Sequence, residues 1–68
     1  MRVIVNGQPR ELGERPTVDR VVAAVASVRK GRGTAVAVNG VVVPRAVWPS
    51  TELGEDDKVE VLDAIGGG

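Results

Sequence analysis

The chain has 68 residues, nine basic and nine acidic side chains that cancel, no Cys and no His. That length allows one small core, near the lower size at which a core is stable unaided, and the missing residue types exclude disulfides, thiolate or imidazole metal sites and His-based triads. With zero net charge and a single Trp as the only aromatic residue, the chain offers neither a global field for nucleic acid or an anionic membrane nor a base-stacking platform.

Met1 to Val5 is apolar and largely β-branched apart from Arg2. Asn6-Gly7 follows, the dipeptide that best supplies the positive φ angles of a two-residue hairpin turn. Gln8 to Leu12 is the returning strand, and Pro9, with no N–H to donate, places it at a sheet edge. Gly13 to Pro16 is then a connecting loop. Thr17 is positioned to cap a helix, with Asp19 in the first turn where a negative charge complements the helix dipole. Val18, Val21, Val22, Val25 and Val28 recur at helical spacing. Ala23, Ala24 and Ala26 partly offset the propensity lost to so many β-branched residues. Arg29-Lys30-Gly31-Arg32-Gly33 ends the helix, with cations near its negative end and glycine for a left-handed cap. The same loop is a candidate basic patch for an acidic partner or a phosphate, although it lacks the spacing of a Walker loop.

Thr34 to Val38 and Val41 to Val43 flank Asn39-Gly40, a second hairpin signal. Pro44 ends the strand, and Arg45 to Pro49 is an irregular stretch with room for a helical turn, in which Trp48 seals the edge of the core. Leu53 plugs the long connection and Gly54 to Asp57 turns. The last strand runs from Lys58 to about Ala64, with Val59 and Val61 on one face and Lys58, Glu60 and Leu62 on the other. The order is β-β-α-β-β-β, an α+β fold: a mixed five-stranded sheet with one helix packed across one face, the plan of a ubiquitin-like β-grasp domain over residues 1–68. In that plan the first and last strands are adjacent and parallel. Val3, Val5, Val59 and Val61 then face the helix, while Ile4 and Leu62 lie on the uncovered face as candidates for a docking surface.

The chain closes on Ile65-Gly66-Gly67-Gly68. Three glycines after a strand predict a flexible thread, 66–68, which also reads as a frayed end when taken alone. Without Cβ atoms it fits a narrow channel and leaves the terminal carbonyl carbon open to attack. Gly66 and Gly67 supply reach and clearance, which suits a chain whose own end, at Gly68, is the substrate, and Ile65, the last residue with a side chain, joins Ile4 and Leu62 as a docking candidate. No apolar run approaches the ~20 residues of a membrane span, and the start lacks the basic-then-apolar order of a signal peptide, so a cytoplasmic protein is expected.

Val36-Ala37-Val38-Asn39-Gly40, Val43-Pro44-Arg45-Ala46-Val47-Trp48 and Ala64-Ile65-Gly66-Gly67-Gly68 together resemble the ubiquitin-like sulfur carrier proteins of the ThiS/MoaD family, over nearly the whole chain. The Val-Pro-Arg-x-x-Trp segment favours the ThiS branch, which serves thiamin biosynthesis, over the MoaD branch, which serves molybdopterin synthesis. A third glycine before the usual pair and the basic loop at Arg29 to Gly33 depart from the pattern. The resemblance implies that an E1-like adenylating enzyme of the ThiF type uses Mg-ATP to activate the Gly68 carboxylate. A cysteine desulfurase or rhodanese-type persulfide then supplies sulfur, and the Gly68 thiocarboxylate delivers it to a thiazole synthase of the ThiG type. No side chain here supplies a catalytic thiol, imidazole or metal site, so the resemblance implies a carrier that binds no cofactor of its own, not an enzyme. A ubiquitin-like protein modifier has the same tail. Glu55-Asp56-Asp57-Lys58-Val59-Glu60-Val61 also resembles the lipoate-bearing stretch of lipoyl domains, with Lys58 as the carrier, but the valine stripe has no place in such an all-β domain.

Overall fold

A computed structural model describes the backbone of residues 1–25 and 33–63. Val28, the basic residues of the loop from Arg29 to Arg32, and Ile65, Gly66, Gly67 and Gly68 lie outside the described residues. The strands are β1 (Arg2–Val5), β2 (Gln8–Glu11), β3 (Thr34–Val38), β4 (Val41–Val42) and β5 (Lys58–Asp63), with α1 (Val18–Val25) after β2 and a 3₁₀ helix (Arg45–Ser50) after β4. They form one sheet in the order β2-β1-β5-β3-β4. β1 and β5 run parallel, with Val5 opposite Val59, and the other neighbours are antiparallel. This is the expected mixed sheet with one helix. Pro9 sits on the edge strand β2, where its missing N–H costs no ladder bond.

Both Asn-Gly pairs form the turns their sequence predicts. Asn6 and Gly7 have φ 50° and 83°, and Asn39 and Gly40 have φ 50° and 85°. Positive φ at both central positions matches the right-handed twist of the flanking strands, so each hairpin closes in two residues.

Alternation along the strands builds the core. Val3, Val5, Val36, Val59 and Val61 are buried on one face of the sheet, and Val18, Val21 and Val22 of α1 meet them. Burying a valine contributes roughly 1.5–3 kcal/mol. An eight-residue helix is marginal alone, so this packing is what holds α1. Its start is tied down more firmly than a simple cap. The Thr17 hydroxyl donates to the Asp19 carboxylate, while the Thr17 carbonyl accepts from the N–H groups of Arg20 and Val21. Pro16 to Val18 also pairs with the returning chain: Val18 N–H donates to the Thr51 carbonyl at 3.0 Å and Leu53 N–H to the Pro16 carbonyl at 2.9 Å. That short bridge carries Leu53 into the core, as its place in the connection predicts.

The stretch after Pro44 is a 3₁₀ helix, with Val47 N–H donating to the Pro44 carbonyl at 3.0 Å and Thr51 N–H to the Trp48 carbonyl at 3.3 Å, and Pro49 inside it has no N–H to add a further rung. The hydroxyls of Ser50 and Thr51 donate to the Val47 carbonyl, at 3.2 and 2.6 Å. Trp48 points inward, 5% exposed, and its indole N–H donates to the Val43 carbonyl at 2.9 Å. The Arg45 guanidinium lies 5.7 Å from its ring centre, within cation–π range.

The turn before β5 is fastened to β1. Asp56, at φ 65°, donates its N–H to the Arg2 carbonyl and accepts from Arg2 Nε at 2.8 Å. The Arg2 hydrogen bond and charge hold the Asp56 carboxyl below the usual carboxylate range, and Asp56 raises the Arg2 guanidinium in return. A carboxyl depressed in the folded state adds stability above its unfolded pKa of about 3.9 and loses it as pH falls through the folded value. Asp56→Asn keeps a residue that tolerates the positive φ. In urea titrations the stability gap between wild type and this variant is expected to narrow as pH drops from about 7 to about 2, and to shrink with added salt because both groups are exposed. A gap independent of pH would show that the pair does not contribute.

Candidate functional site

The glycine run follows β5 in sequence, and β5 occupies the centre of the sheet, between β1 and β3. Along its β3 side it is paired from Val38↔Val59 to Thr34↔Asp63. Along its β1 side the main-chain bonds stop early. Ile4 N–H reaches the Asp57 carbonyl and Asn6 N–H the Val59 carbonyl, both at 2.9 Å, and the chain then turns away at Gly7.

The next rung on that side is made by a side chain. The Asn6 carboxamide accepts from Val61 N–H at 2.9 Å and donates to the Val61 carbonyl at 3.3 Å. Asn39 does the same work at the other end of the strand: its Oδ1 accepts from Lys58 N–H at 3.0 Å and its Nδ2 donates to Asp57 Oδ1 at 3.1 Å. The two turn asparagines therefore grip β5 from opposite flanks, Asn39 at its start and Asn6 near its end. Reading the sequence for turns missed this, because a carboxamide can pair with a strand only once a strand 55 positions away is beside it.

On the uncovered face, Ile4 and Leu62 share a side of the sheet but do not meet. Ile4 is half-buried opposite Pro9 and Lys58, and Leu62 is four residues further along β5, roughly 13 Å away. Leu62 is 66% exposed and faces Ala35; Ala37, on the same side of β3, faces Val42 of β4, which is 71% exposed. The exposed apolar patch is therefore Leu62, Ala35, Ala37 and Val42, bordered by Glu60. The signal for its other members was the small-large alternation of Thr34 to Val38 combined with the register a two-residue turn imposes. Ile65 and the glycines lie outside the described residues.

Lys58 starts β5 on this open face, opposite Ile4. The helix and the parallel β1–β5 pair leave no all-β sandwich in which it could serve as a lipoyl lysine. Among the described residues, no three His, Cys, Asp or Glu side chains are grouped to hold a metal ion, and no helix is long and apolar enough to cross a membrane. What the arrangement presents is a strand gripped on both sides, leading toward a glycine run, beside an exposed apolar patch.

Residues 3–68 match the ThiS family. A crystal structure of the thiamine biosynthesis protein ThiS from Geobacter metallireducens superposes with a TM-score of 0.78 at 31% identity, covering all of both chains. A solution structure of a thiamine biosynthesis protein from the same organism gives 0.77 at 31% identity, covering all of this chain and 88% of the other. No curated protein matches. With a family match that spans nearly every residue and two neighbours that share the whole fold, this chain belongs to the ThiS family.

Proposed function

We propose that this protein is the sulfur carrier of thiamin biosynthesis, with the Gly68 carboxylate as its working group. The observation that carries this reading is the family match, which runs through β5 and the glycines to Gly68. An α-carboxyl of pKa about 3.3–3.7 is ionised at neutral pH and serves as a nucleophile. It is a poor acyl donor until activated. A carboxylate oxygen attacks the α-phosphorus of ATP on an E1-like enzyme of the ThiF type, pyrophosphate leaves, and Gly68 becomes an acyl adenylate. The outer sulfur of a persulfide on a cysteine desulfurase or rhodanese-type donor then attacks the carbonyl carbon and AMP departs. A thiol opens the remaining sulfur–sulfur bond and the Gly68 thiocarboxylate is released. Thiazole synthase of the ThiG type is the acceptor.

The carrier contributes no acid, base or metal to these steps. Cations and amides that stabilise phosphoryl transfer belong to the adenylating partner. Ile65, Gly66 and Gly67 link the gripped strand to the reacting carbon, and the Leu62 patch supplies the docking face.

Incubation with the adenylating enzyme, Mg-ATP and a sulfur source is expected to replace one terminal oxygen by sulfur, read by intact-mass spectrometry. Capping the Gly68 carboxylate as an amide abolishes the mass change while circular dichroism and thermal unfolding stay at wild-type values. Sulfur transfer by the capped protein would reject the proposal. Recovery of the tail as isopeptide remnants on lysines of other proteins would instead identify a modifier.

A further inference from the structure

We infer that Asn6 is a positioning residue for the tail: its carboxamide replaces the strand rung that β1 fails to provide and sets the direction in which β5 leaves the sheet. The inference rests on the sulfur-carrier reading and adds to it a specific residue outside the tail and the docking patch.

Backbone groups of Asp57, Val59 and Val61 face the β1 side of β5. The Asp57 and Val59 carbonyls have main-chain partners in Ile4 and Asn6, whereas Val61 is opposite a chain that has already turned. Val61 is 8% exposed, so its N–H and C=O sit where unmet polar groups are costly. A carboxamide offers one acceptor and one donor in the same plane, as a peptide unit does. Asn6 presents both to the one residue. The rung it makes is the last on that flank among the described residues, and only Leu62, Asp63, Ala64 and Ile65 separate it in sequence from the three glycines.

Removing the rung leaves β5 held at this point from the β3 side alone. The strand then swings about that side, and small misplacements of a reacting group cost large factors in rate. Leu62, although next to Val61, pairs opposite Ala35 on the β3 side, which the change leaves in place, so the docking patch keeps its arrangement. Loss of the rung therefore lowers the rate of reaction in the bound complex without weakening the complex.

Asn39 provides a matched control. It occupies the equivalent turn position and grips the same strand, but at Lys58, the end away from the tail. Gly-Gly supports the same turn type in either hairpin, so Asn6→Gly and Asn39→Gly remove a grip without breaking the hairpin. The experiment measures adenylation of the full chain by the partner enzyme, as ATP–pyrophosphate exchange, alongside amide hydrogen exchange at Val61, below the unfolding temperature of each variant. Asn6→Gly is expected to lower kcat about tenfold or more, with KM within about twofold, and to speed Val61 exchange. Asn39→Gly is expected to leave kcat and Val61 exchange at wild-type values. Asn6→Asp keeps the acceptor for Val61 N–H but sets a carboxylate oxygen against the Val61 carbonyl, and is expected to fall between wild type and Asn6→Gly.

Unchanged Val61 exchange in Asn6→Gly, or faster exchange with wild-type kcat, overturns the assignment while leaving the carrier reading intact. Equal losses of kcat in the Asn6 and Asn39 variants also overturn it, since a general weakening of β5 then suffices. A wild-type protein that is not adenylated at all overturns the carrier reading and this inference with it.

Discussion

Trp48→Ala is expected to cost about 3–5 kcal/mol and to bring the domain close to its unfolding midpoint in water. A chain of 68 residues has a total stability of roughly 3–10 kcal/mol at the usual 0.05–0.15 kcal/mol per residue. The ring closes the end of a core made chiefly of valines, its N–H satisfies the Val43 carbonyl, and Arg45 lies against it. Trp48→Phe keeps most of the buried area but abandons that carbonyl, for an expected loss nearer 1–3 kcal/mol. Because Trp48 is the only fluorescent aromatic residue, urea unfolding should be followed by circular dichroism. A Trp48→Ala midpoint equal to wild type would show that the 3₁₀ helix is an appendage and not a wall of the core.

Leu62→Asp should do the opposite, leaving stability within about 0.5 kcal/mol of wild type while weakening binding to the adenylating enzyme by at least about 2 kcal/mol, or thirtyfold. Leu62 is open to solvent, so the aspartate is hydrated in the free protein. Under a partner it would be stripped of water beside Glu60. Val42→Asp across the patch is expected to follow it. Ile4→Asp differs in kind: its half-buried site makes unfolding the first consequence, so it tests the docking face poorly. Isothermal titration with both patch variants and unaltered affinity would remove this surface from the interface.

The β-grasp plan was legible because its signals are local. Each Asn-Gly pair sits between β-branched runs, the valines from Val18 to Val25 keep a helical period, and Val59 and Val61 alternate with charges. The β-grasp plan that this element order fits added the parallel pairing of the first and last strands, which no local signal carries. The composition of the exposed patch was only half legible. Leu62 stands out in an alternating strand, but Ala35, Ala37 and Val42 join it only through register across three strands. Ile4 looked equivalent to Leu62 because both are large and apolar on the same face; edge strand β2 covers one of them and not the other. The grip of Asn6 and Asn39 on β5 was invisible, since the turn accounts fully for those residues until the distant strand is placed.

Those two asparagines also tie the fold to its own chemical ageing. Asn followed by Gly is the pair whose side-chain carbonyl is most open to attack by the next backbone nitrogen, which expels ammonia and leaves a cyclic imide that water opens to aspartate or isoaspartate. At Asn6 that change would strip away the donor to Val61, and at Asn39 it would set a new carboxylate against Asp57. The hydrogen bonds to β5 restrain both carboxamides against this reaction, so an intact sheet protects the residues that keep it intact. Once β5 loosens, damage at either turn makes the loosening permanent.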